Sequence, residues 1–379
     1  MRIHTTGGGL KTAAGWAARI VSTRPAMAVL GGVLLEAGEQ CTISATDLEL
    51  FGTARLDGSA IEPGRVVVSA RLLANIADLI PATAEVSIER TPEGRVEIKL
   101  GRSRWGLPEI DTDNWPRQPE PGDPLGTIPA ADLRRALARV LPAASTDGAV
   151  PNLIAVEFTP GETLTVVATD RYRLAVADVP NWSPKGGSTI PLTVPTGVLK
   201  PAMDALKGAG GDVTIGTDGS TVTLECGADR ITGRLIANYV RWQPLIPHIA
   251  DLRHAVAFAD TSVLSAAVAG AAVVCGEHQA VQVTFGPDAK VHVTPETGDT
   301  ARDEEADQYA DLISFDGSAI AVKVTPKYVT DALAMIDEQM VEIRFQETPG
   351  RPILLRPAAP EGIVHEDYRH LLMVRKAGG

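Results

Sequence analysis

The side chains that could do chemistry are few and widely spaced. Asp47 and Asp170 each close an Ala-Thr-Asp triplet, Ala45-Thr46-Asp47 and Ala168-Thr169-Asp170, and two carboxylates brought together could act as a general acid and base. The triplets occupy equivalent corners of different repeats, where Asp hydrogen-bonds its own turn backbone, so a structural role is expected. Gly7-Gly8-Gly9 lacks the Lys-Ser/Thr that completes a phosphate loop and reads as a flexible strand exit. His248, His254, His278 and His292 show no metal-ligand spacing, and His365 and His370 are five apart, wrong for one helix face. Cys41, Cys226 and Cys275 stand alone in apolar runs and read as reduced, buried small side chains. Neither a catalytic set nor a metal or cofactor site is expected.

The corners belong to a longer repeated unit. Thr165 to Val176 runs as a strand into Thr169-Asp170-Arg171-Tyr172 and out into a second strand, and Ile43 to Leu50 repeats the apolar run, the corner and the exit. With 379 residues, 44% hydrophobic and 22% charged, the chain has the composition of a globular protein and the length of two or three domains. A net charge of −12 excludes a uniformly basic nucleic-acid surface but leaves room for local basic faces. The small-apolar run from Val263 to Cys275 is too short to span a bilayer, and the N-terminus lacks a charged region followed by an apolar core. A cytoplasmic protein without membrane attachment is expected.

Helical spacing appears three times in the same order. The first pass has helices over Leu10–Val21 and Ala70–Ile80, the second over Ala131–Leu141 and Thr196–Lys207, and the third over Thr261–Cys275 and Pro326–Ile336. Strands and hairpins lie between them, and the proline-rich stretch from Pro108 to Pro129 and Gln243–Pro247 read as connections. The helix starts recur at spacings of about 120 to 130 residues, far beyond solenoid periods. The predicted class is therefore α+β, with three tandem like domains over 1–126, 127–248 and 249–379, each two helices on a mostly antiparallel sheet. On Ala131–Leu141, Leu133, Ala136, Leu137 and Val140 form the buried side, while Arg135 and Arg139 are expected on a basic outer face.

Five pieces, in order, carry a family resemblance: Ser22-Thr23-Arg24-Pro25, Ala45 to Leu50, Gly101-Arg102-Ser103-Arg104-Trp105-Gly106-Leu107-Pro108, Ala168 to Val176, and Thr325 to Leu333. Across nearly its full length the chain resembles the DNA polymerase III beta subunit family, the bacterial sliding clamps. The resemblance implies a non-enzymatic processivity factor, a homodimer whose three domains per subunit close a ring around duplex DNA. Its lining would hold phosphates without reading bases, and Arg24, Arg71, Arg135, Arg139 and Lys200 are the expected contacts. It also implies a groove between the second and third domains for peptides of the polymerase III alpha subunit, the clamp loader and other clamp-binding-motif proteins. Carried over, that groove involves Leu153, Thr169, Arg171, Tyr172, Arg173, Leu174, Val240, Pro244, Leu245, Tyr328, Met373, Val374 and Arg375. A nucleoid-associated location follows from the same resemblance.

The chain departs from the family at this groove. Arg171-Tyr172 replaces the usual Gly-His, Tyr239-Val240-Arg241-Trp242 replaces a Phe-Pro-acid-Tyr motif, and Met373-Val374-Arg375 is one residue shorter than the usual Met-Pro-x-Arg before Lys376-Ala377-Gly378-Gly379. The first helix of the third domain has no Lys or Arg. These changes raise the alternative of a specialised accessory or decoy paralogue, or a phage-encoded clamp, with altered partner preference.

Overall fold

The computed structural model describes residues 1–207, 210–247, 251–275, 280–296, 306–347 and 350–375. The boundary expected at 248, His248, His278 and Lys376–Gly379 lie outside the described residues. The first repeat comprises β1 (Arg2–Thr6), α1 (Gly7–Ile20), β2 (Gly32–Ala37), β3 (Cys41–Thr46), β4 (Leu50–Arg55), β5 (Gly58–Glu62), β6 (Gly64–Ser69), α2 (Ala70–Leu79), β7 (Glu85–Arg90), β8 (Arg95–Leu100) and β9 (Ser103–Pro108). The second comprises β10 (Asp123–Pro129), α3 (Ala130–Val140), β11 (Ala155–Thr159), β12 (Leu164–Thr169), β13 (Arg173–Val179), β14 (Ser183–Pro184), β15 (Leu192–Pro195), α4 (Thr196–Ala205), β16 (Asp212–Thr217), β17 (Thr221–Cys226) and β18 (Asp229–Arg234). The third comprises β19 (Ala255–Asp260), α5 (Thr261–Ala272), β20 (Val281–Phe285), β21 (Lys290–Pro295), β22 (Gln308–Gly317), β23 (Ile320–Val324), α6 (Pro326–Leu333), β24 (Met340–Phe345), β25 (Ile353–Ala358) and β26 (Tyr368–Leu372). Among the described residues no helix is long and apolar enough to cross a membrane.

By contacts the chain divides into two compact units. Unit one holds Met1–Arg134, Pro160–Glu162 and Asn181–Ile236; unit two holds Arg135–Thr159, Thr163–Pro180 and the chain from Ala237 onward. Unit one contains two antiparallel sheets, ordered β5-β1-β7-β8-β9 and β14-β10-β16-β17-β18-β4-β3-β2-β6. In the second, Arg230 to Gly233 of β18 pair with Thr53 to Leu50 of β4, which joins the strands of two repeats edge to edge. Leu10, Ala13, Trp16 and Ala17 on α1 are buried, and Trp16 Nε1 donates to the Pro201 carbonyl on α4 at 3.0 Å. Helix α1 lies close over β4 because Gly52 has no side chain; a Cβ there would sit 2.6 Å from Ile20 and 2.8 Å from Trp16.

Gly7-Gly8-Gly9 is the first turn of α1 rather than a flexible exit. Thr6 caps it by accepting from Gly9 N at 3.1 Å, and a Cβ on Gly7 would lie 2.1 Å from the Pro81 carbonyl oxygen. Close backbone approach therefore fixes these glycines. The connection expected from Pro108 to Pro129 is shorter, because β10 already begins at Asp123. Cys41 and Cys226 are buried as expected, whereas Cys275 is half-buried.

Unit two carries one antiparallel sheet in the order β11-β12-β13-β26-β25-β24-β19-β22-β21-β20-β23. Arg173 to Ala177 of β13 pair with Leu372 to Tyr368 of β26, again joining two repeats. Val167, Leu174, Val176, Trp242, Leu252, Leu354 and Leu371 form a core cluster beneath that junction. Trp242 Nε1 donates to Glu157 Oε1 at 2.6 Å, and burial pushes the Glu157 carboxyl above the ordinary range against that bond.

The Ala-Thr-Asp corners have the same bonding in both units. Asp47 Oδ1 accepts from Glu49 N at 3.0 Å and Leu50 N at 2.8 Å, and Asp170 Oδ1 accepts from Tyr172 N and Arg173 N, each at 3.0 Å. Thr46 and Thr169 accept from Leu48 N and Arg171 N through Oγ1. Both Leu48 and Arg171 take φ of 79°, a left-handed conformation that disfavours a Cβ. A third copy, at Thr217-Asp218, places Gly219 at that position with φ of 86°. The two aspartates are therefore turn-formers, as expected. Asp47→Ala is expected to destabilise the chain by about 1–2 kcal/mol, by analogy with lost helix caps. Leu48→Gly is expected to stabilise it by about 0.5 kcal/mol, relief of the left-handed strain exceeding the added unfolded-chain entropy. Denaturant midpoints at constant slope measure both.

Candidate functional site

Unit two gathers an aromatic and sulfur-bearing surface around the corner at Asp170. The turn projects Tyr172 outward, 54% exposed, and its ring stacks on that of Tyr328 from α6, with centroids 6.0 Å apart and 19° between planes. Met373, 45% exposed, is fixed beside them by its N–H donating to the Tyr172 carbonyl at 2.9 Å. Pro244 and Leu245, in a short 3-10 turn over Gln243–Leu245, are exposed, and Val240 is half-buried. These are the side chains a peptide could touch.

Other residues expected in the groove support it from behind. Leu153, Thr169 and Leu174 are buried, and Thr169 Oγ1 also donates to the Arg173 carbonyl at 2.6 Å. Arg173 is not an exposed anchor. It is 6% exposed, with Nε 3.1 Å from Asp170 Oδ2, Nη1 2.6 Å from Asp331 Oδ2, Nη2 donating to the Pro142 carbonyl, and its guanidinium 4.6 Å from the Tyr328 ring centroid. Val374 and Arg375 line a cavity of about 670 Å³ with Ile320, Lys323 and Phe345, and Arg375 N donates to the Lys323 carbonyl at 2.8 Å. Arg171 is exposed, 4.0 Å from Asp147 Oδ2.

Two residues that organise the site escaped sequence reasoning. Asp331 receives both Arg173 and, at 2.8 Å, Lys327; burial would raise its carboxyl, but those two bonds outweigh burial and hold it below the usual range. The Lys327-to-Asp331 helical spacing was the available signal. Asp147 had none.

Arg139 also departs from expectation. It is buried, not on an outer basic face: Nη1 lies 2.9 Å from Asp367 Oδ2, and Nη2 lies 3.5 Å from Asp337 and 3.6 Å from Glu338. Its guanidinium sits 5.4 Å from the centroid of the Tyr368 ring. A helical wheel cannot register carboxylates contributed by the third repeat, and these make burial of a cation tolerable. Arg139 therefore leaves the set of expected phosphate contacts. Arg24 after α1, Arg71 on α2, Arg135 on α3 and Lys200 on α4 are exposed. Among the described residues none of these four forms an ion pair, whereas Lys11 and Arg19 on α1 are neutralised by Asp78 and Asp204.

Tyr368 donates to the Arg139 carbonyl at 3.2 Å and bonds His370 Nδ1 at 2.8 Å. Burial, and then the nearby Arg173 charge, lower the His370 imidazole to about 3. Since the unfolded chain takes up that proton near 6.5, stability contributed by neutral His370 is complete above pH 6.5 and declines as pH falls towards 3, at up to ~1.4 kcal/mol per pH unit. Urea titrations of His370→Gln across this window are expected to show a shallower loss than the parent chain. Arg173→Ala, which leaves Asp170 and Asp331 without their buried cation, is expected to cost about 3–5 kcal/mol in the same assay.

With this geometry in place, comparison with known proteins is direct. Residues 3–119, 127–239 and 246–368 match the family models for the N-terminal, central and C-terminal domains of the DNA polymerase III beta subunit. The chain is 29% identical over 392 residues to the beta sliding clamp of Streptomyces coelicolor, covering 100% of each. It is 33% identical over 304 residues to that of Micrococcus luteus, covering 78% of this chain and 95% of the other. Its fold is similar to that of a Pseudomonas aeruginosa DnaN sliding clamp bound to griselimycin, with a TM-score of 0.86, 22% identity and 100% of both chains covered. Three domain models matched in order and full-length similarity to curated clamps establish that the chain belongs to the DNA polymerase III beta subunit family, the non-catalytic beta sliding clamps.

Proposed function

We propose that the chain is a replication processivity factor, two copies of which close into a ring around duplex DNA. Its three domains divide at 1–126, 127–248 and 249–379. The observation that carries the reading is the match of all three repeats, in order, to the domains of one clamp family. That match does not favour an accessory or decoy role. The ring works in the cytoplasm at the nucleoid and needs no cofactor.

Arg24, Arg71, Arg135 and Lys200 supply the attraction to phosphates, supported by their exposure and by the lack of ion-pair partners among the described residues. Such contacts ignore sequence and weaken with salt, which suits sliding. Tyr172, Tyr328, Leu245, Pro244 and Met373 form the apolar part of a groove for peptides of the polymerase III alpha subunit, the clamp loader and other clamp-binding-motif proteins. Val240, Val374 and Arg375 flank it. Burying two large peptide side chains at ~1.5–3 kcal/mol each, less the ordering cost, gives exchangeable binding of about micromolar strength.

Three measurements test this. Loaded protein should persist on nicked circular DNA and leave it on linearisation, and a monomer that leaves both at one rate would refute the ring. Each of Arg24→Glu, Arg71→Glu, Arg135→Glu and Lys200→Glu should flatten the log–log salt dependence of DNA binding by about 0.9 or more. Tyr172→Ala should weaken a polymerase clamp-binding peptide about tenfold, ~1.4 kcal/mol, with no effect on DNA retention.

A further inference from the structure

The connection that carries Pro244 and Leu245 is held by a buried carboxyl. Glu157 on β11 is 7% exposed, and among the described residues no Lys or Arg pairs with it. Its cross-strand neighbour is Val167, so the two side chains share a face of the sheet. Val167 belongs to the apolar cluster of Leu174, Val176, Leu252, Leu354 and Leu371 in which Trp242 packs. From there the indole Nε1 reaches Glu157 Oε1 at 2.6 Å, and Thr159 Oγ1 is the carboxyl's second donor at 3.3 Å. Apolar contact is non-directional and lets a ring turn or slide, whereas a hydrogen bond between two buried groups fixes its direction. A carboxyl is also a costly way to close a core, since an apolar side chain of similar length fills the same space without desolvating a polar group.

What the indole holds is the groove side of the connection. The Trp242 carbonyl accepts from Leu245 N at 2.8 Å and the Gln243 carbonyl from Ile246 N at 3.3 Å, so the single turn that presents Pro244 and Leu245 starts on the residue that Glu157 anchors. Upstream, Asn152 Nδ2 donates to the Asn238 carbonyl at 3.0 Å, which ties the entry to the same segment, and Tyr239 and Ile246 pack against the cluster. We infer that Glu157 is a positioning residue for peptide binding: through Trp242 it fixes the 240–245 side of the groove, so that a large apolar side chain of a clamp-binding peptide meets Leu245 without first having to order the connection. The inference rests on the proposed role of that groove. Its two sides are then set by different carboxyls, Asp170 acting through backbone N–H groups and Glu157 through an indole.

The test uses the full chain and a fluorescein-labelled polymerase clamp-binding peptide read by anisotropy, with hydrogen exchange of the Leu245 amide as a second readout that needs no peptide. Glu157→Met, which removes the acceptor, should weaken the peptide about tenfold and speed Leu245 exchange about tenfold, while the Tyr172 amide, held by Asp170, exchanges as in the parent. Glu157→Gln keeps an acceptor for the indole and should bind within about threefold of the parent. Because Glu157→Met orphans the indole donor and so costs stability as well, the deciding variant is Glu157→Met with Trp242→Phe. It removes both partners, and should keep the parent's urea midpoint yet bind as weakly as Glu157→Met alone. Leu245→Ala should cost less affinity in Glu157→Met than in the parent, whereas Tyr172→Ala should cost the same in both. A Glu157 that only supports the core would shift urea midpoints and leave peptide affinity and Leu245 exchange at parent values. That result, parent-like binding by the double variant, or a Glu157→Gln chain as weak as Glu157→Met would overturn the assignment. If the parent chain does not bind the peptide, the reading of the groove fails and Leu245 exchange alone decides: unchanged exchange in Glu157→Met overturns the positioning role, and faster exchange sustains it.

Discussion

The carboxylate of Asp170 sets the geometry on which the proposed partner surface depends. One oxygen accepts two successive backbone N–H groups, from Tyr172 and Arg173, and so fixes a turn with a left-handed residue at its apex. The other oxygen accepts Arg173 Nε. The turn sends Tyr172 outward and Arg173 inward on adjacent residues, and Arg173 then reaches Asp331 on α6. A buried guanidinium with two carboxylates and a backbone carbonyl around it has its donors directed in fixed directions, which makes the arrangement specific even where its net contribution to stability is small. Tyr328 meets both that guanidinium and the Tyr172 ring. Position and charge of the surface thus follow from one side chain.

The same backbone device carries different chemistry elsewhere. At Asp47 the residue in the place of Arg173 is Leu50, which is buried and apolar, so the first repeat's corner anchors β4 without an inward cation. At Asp218 the apex is glycine and the carboxyl, held by Thr221 N and Ser220 N, drops to about 2. A turn stabilised by short-range bonds from its own Asp is insensitive to what the flanking side chains do, which lets repeats diverge in function while keeping the corner. Arg171 shows the cost of that freedom. It occupies a left-handed position that glycine fills without strain, and its charge at the rim faces Asp147.

Much of this was legible in the sequence because repeats and corners are local signals. The order of two helices per repeat and the structural role of Asp47 and Asp170 followed from residue type and spacing, whereas the place of Tyr172 in a groove came from the family resemblance. What was illegible arises from long-range partners. Arg139 has the helical position of a surface cation, but it is buried against Tyr368 and paired with Asp337, Glu338 and Asp367 of the distant third repeat. Gly7-Gly8-Gly9 has the composition of a loop, but the Pro81 carbonyl packs so near Gly7, and the Asp57 carbonyl so near Gly9, that a side chain at either would clash. Arg173 reads as a groove residue until its partners Asp170, Asp331 and the Pro142 carbonyl are seen to hold it inward.

The charge distribution explains how an acidic clamp can hold an anionic polymer. A net charge of −12 repels DNA at a distance, but in physiological salt that repulsion is screened beyond about 8 Å, so only charges near the phosphates matter. On α1 the cations Lys11 and Arg19 are paired with carboxylates, while Arg24, Arg71, Arg135 and Lys200 have no ion-pair partner among the described residues. Helix α5 has no charged residue at all. If those four cations are the phosphate contacts, as proposed, so few in an acidic frame give attraction too weak to immobilise the protein on DNA, and residence comes from closure of the ring rather than from affinity. On that proposal each of the four cations carries a large share of a small total, so removing one changes the attraction by a large fraction.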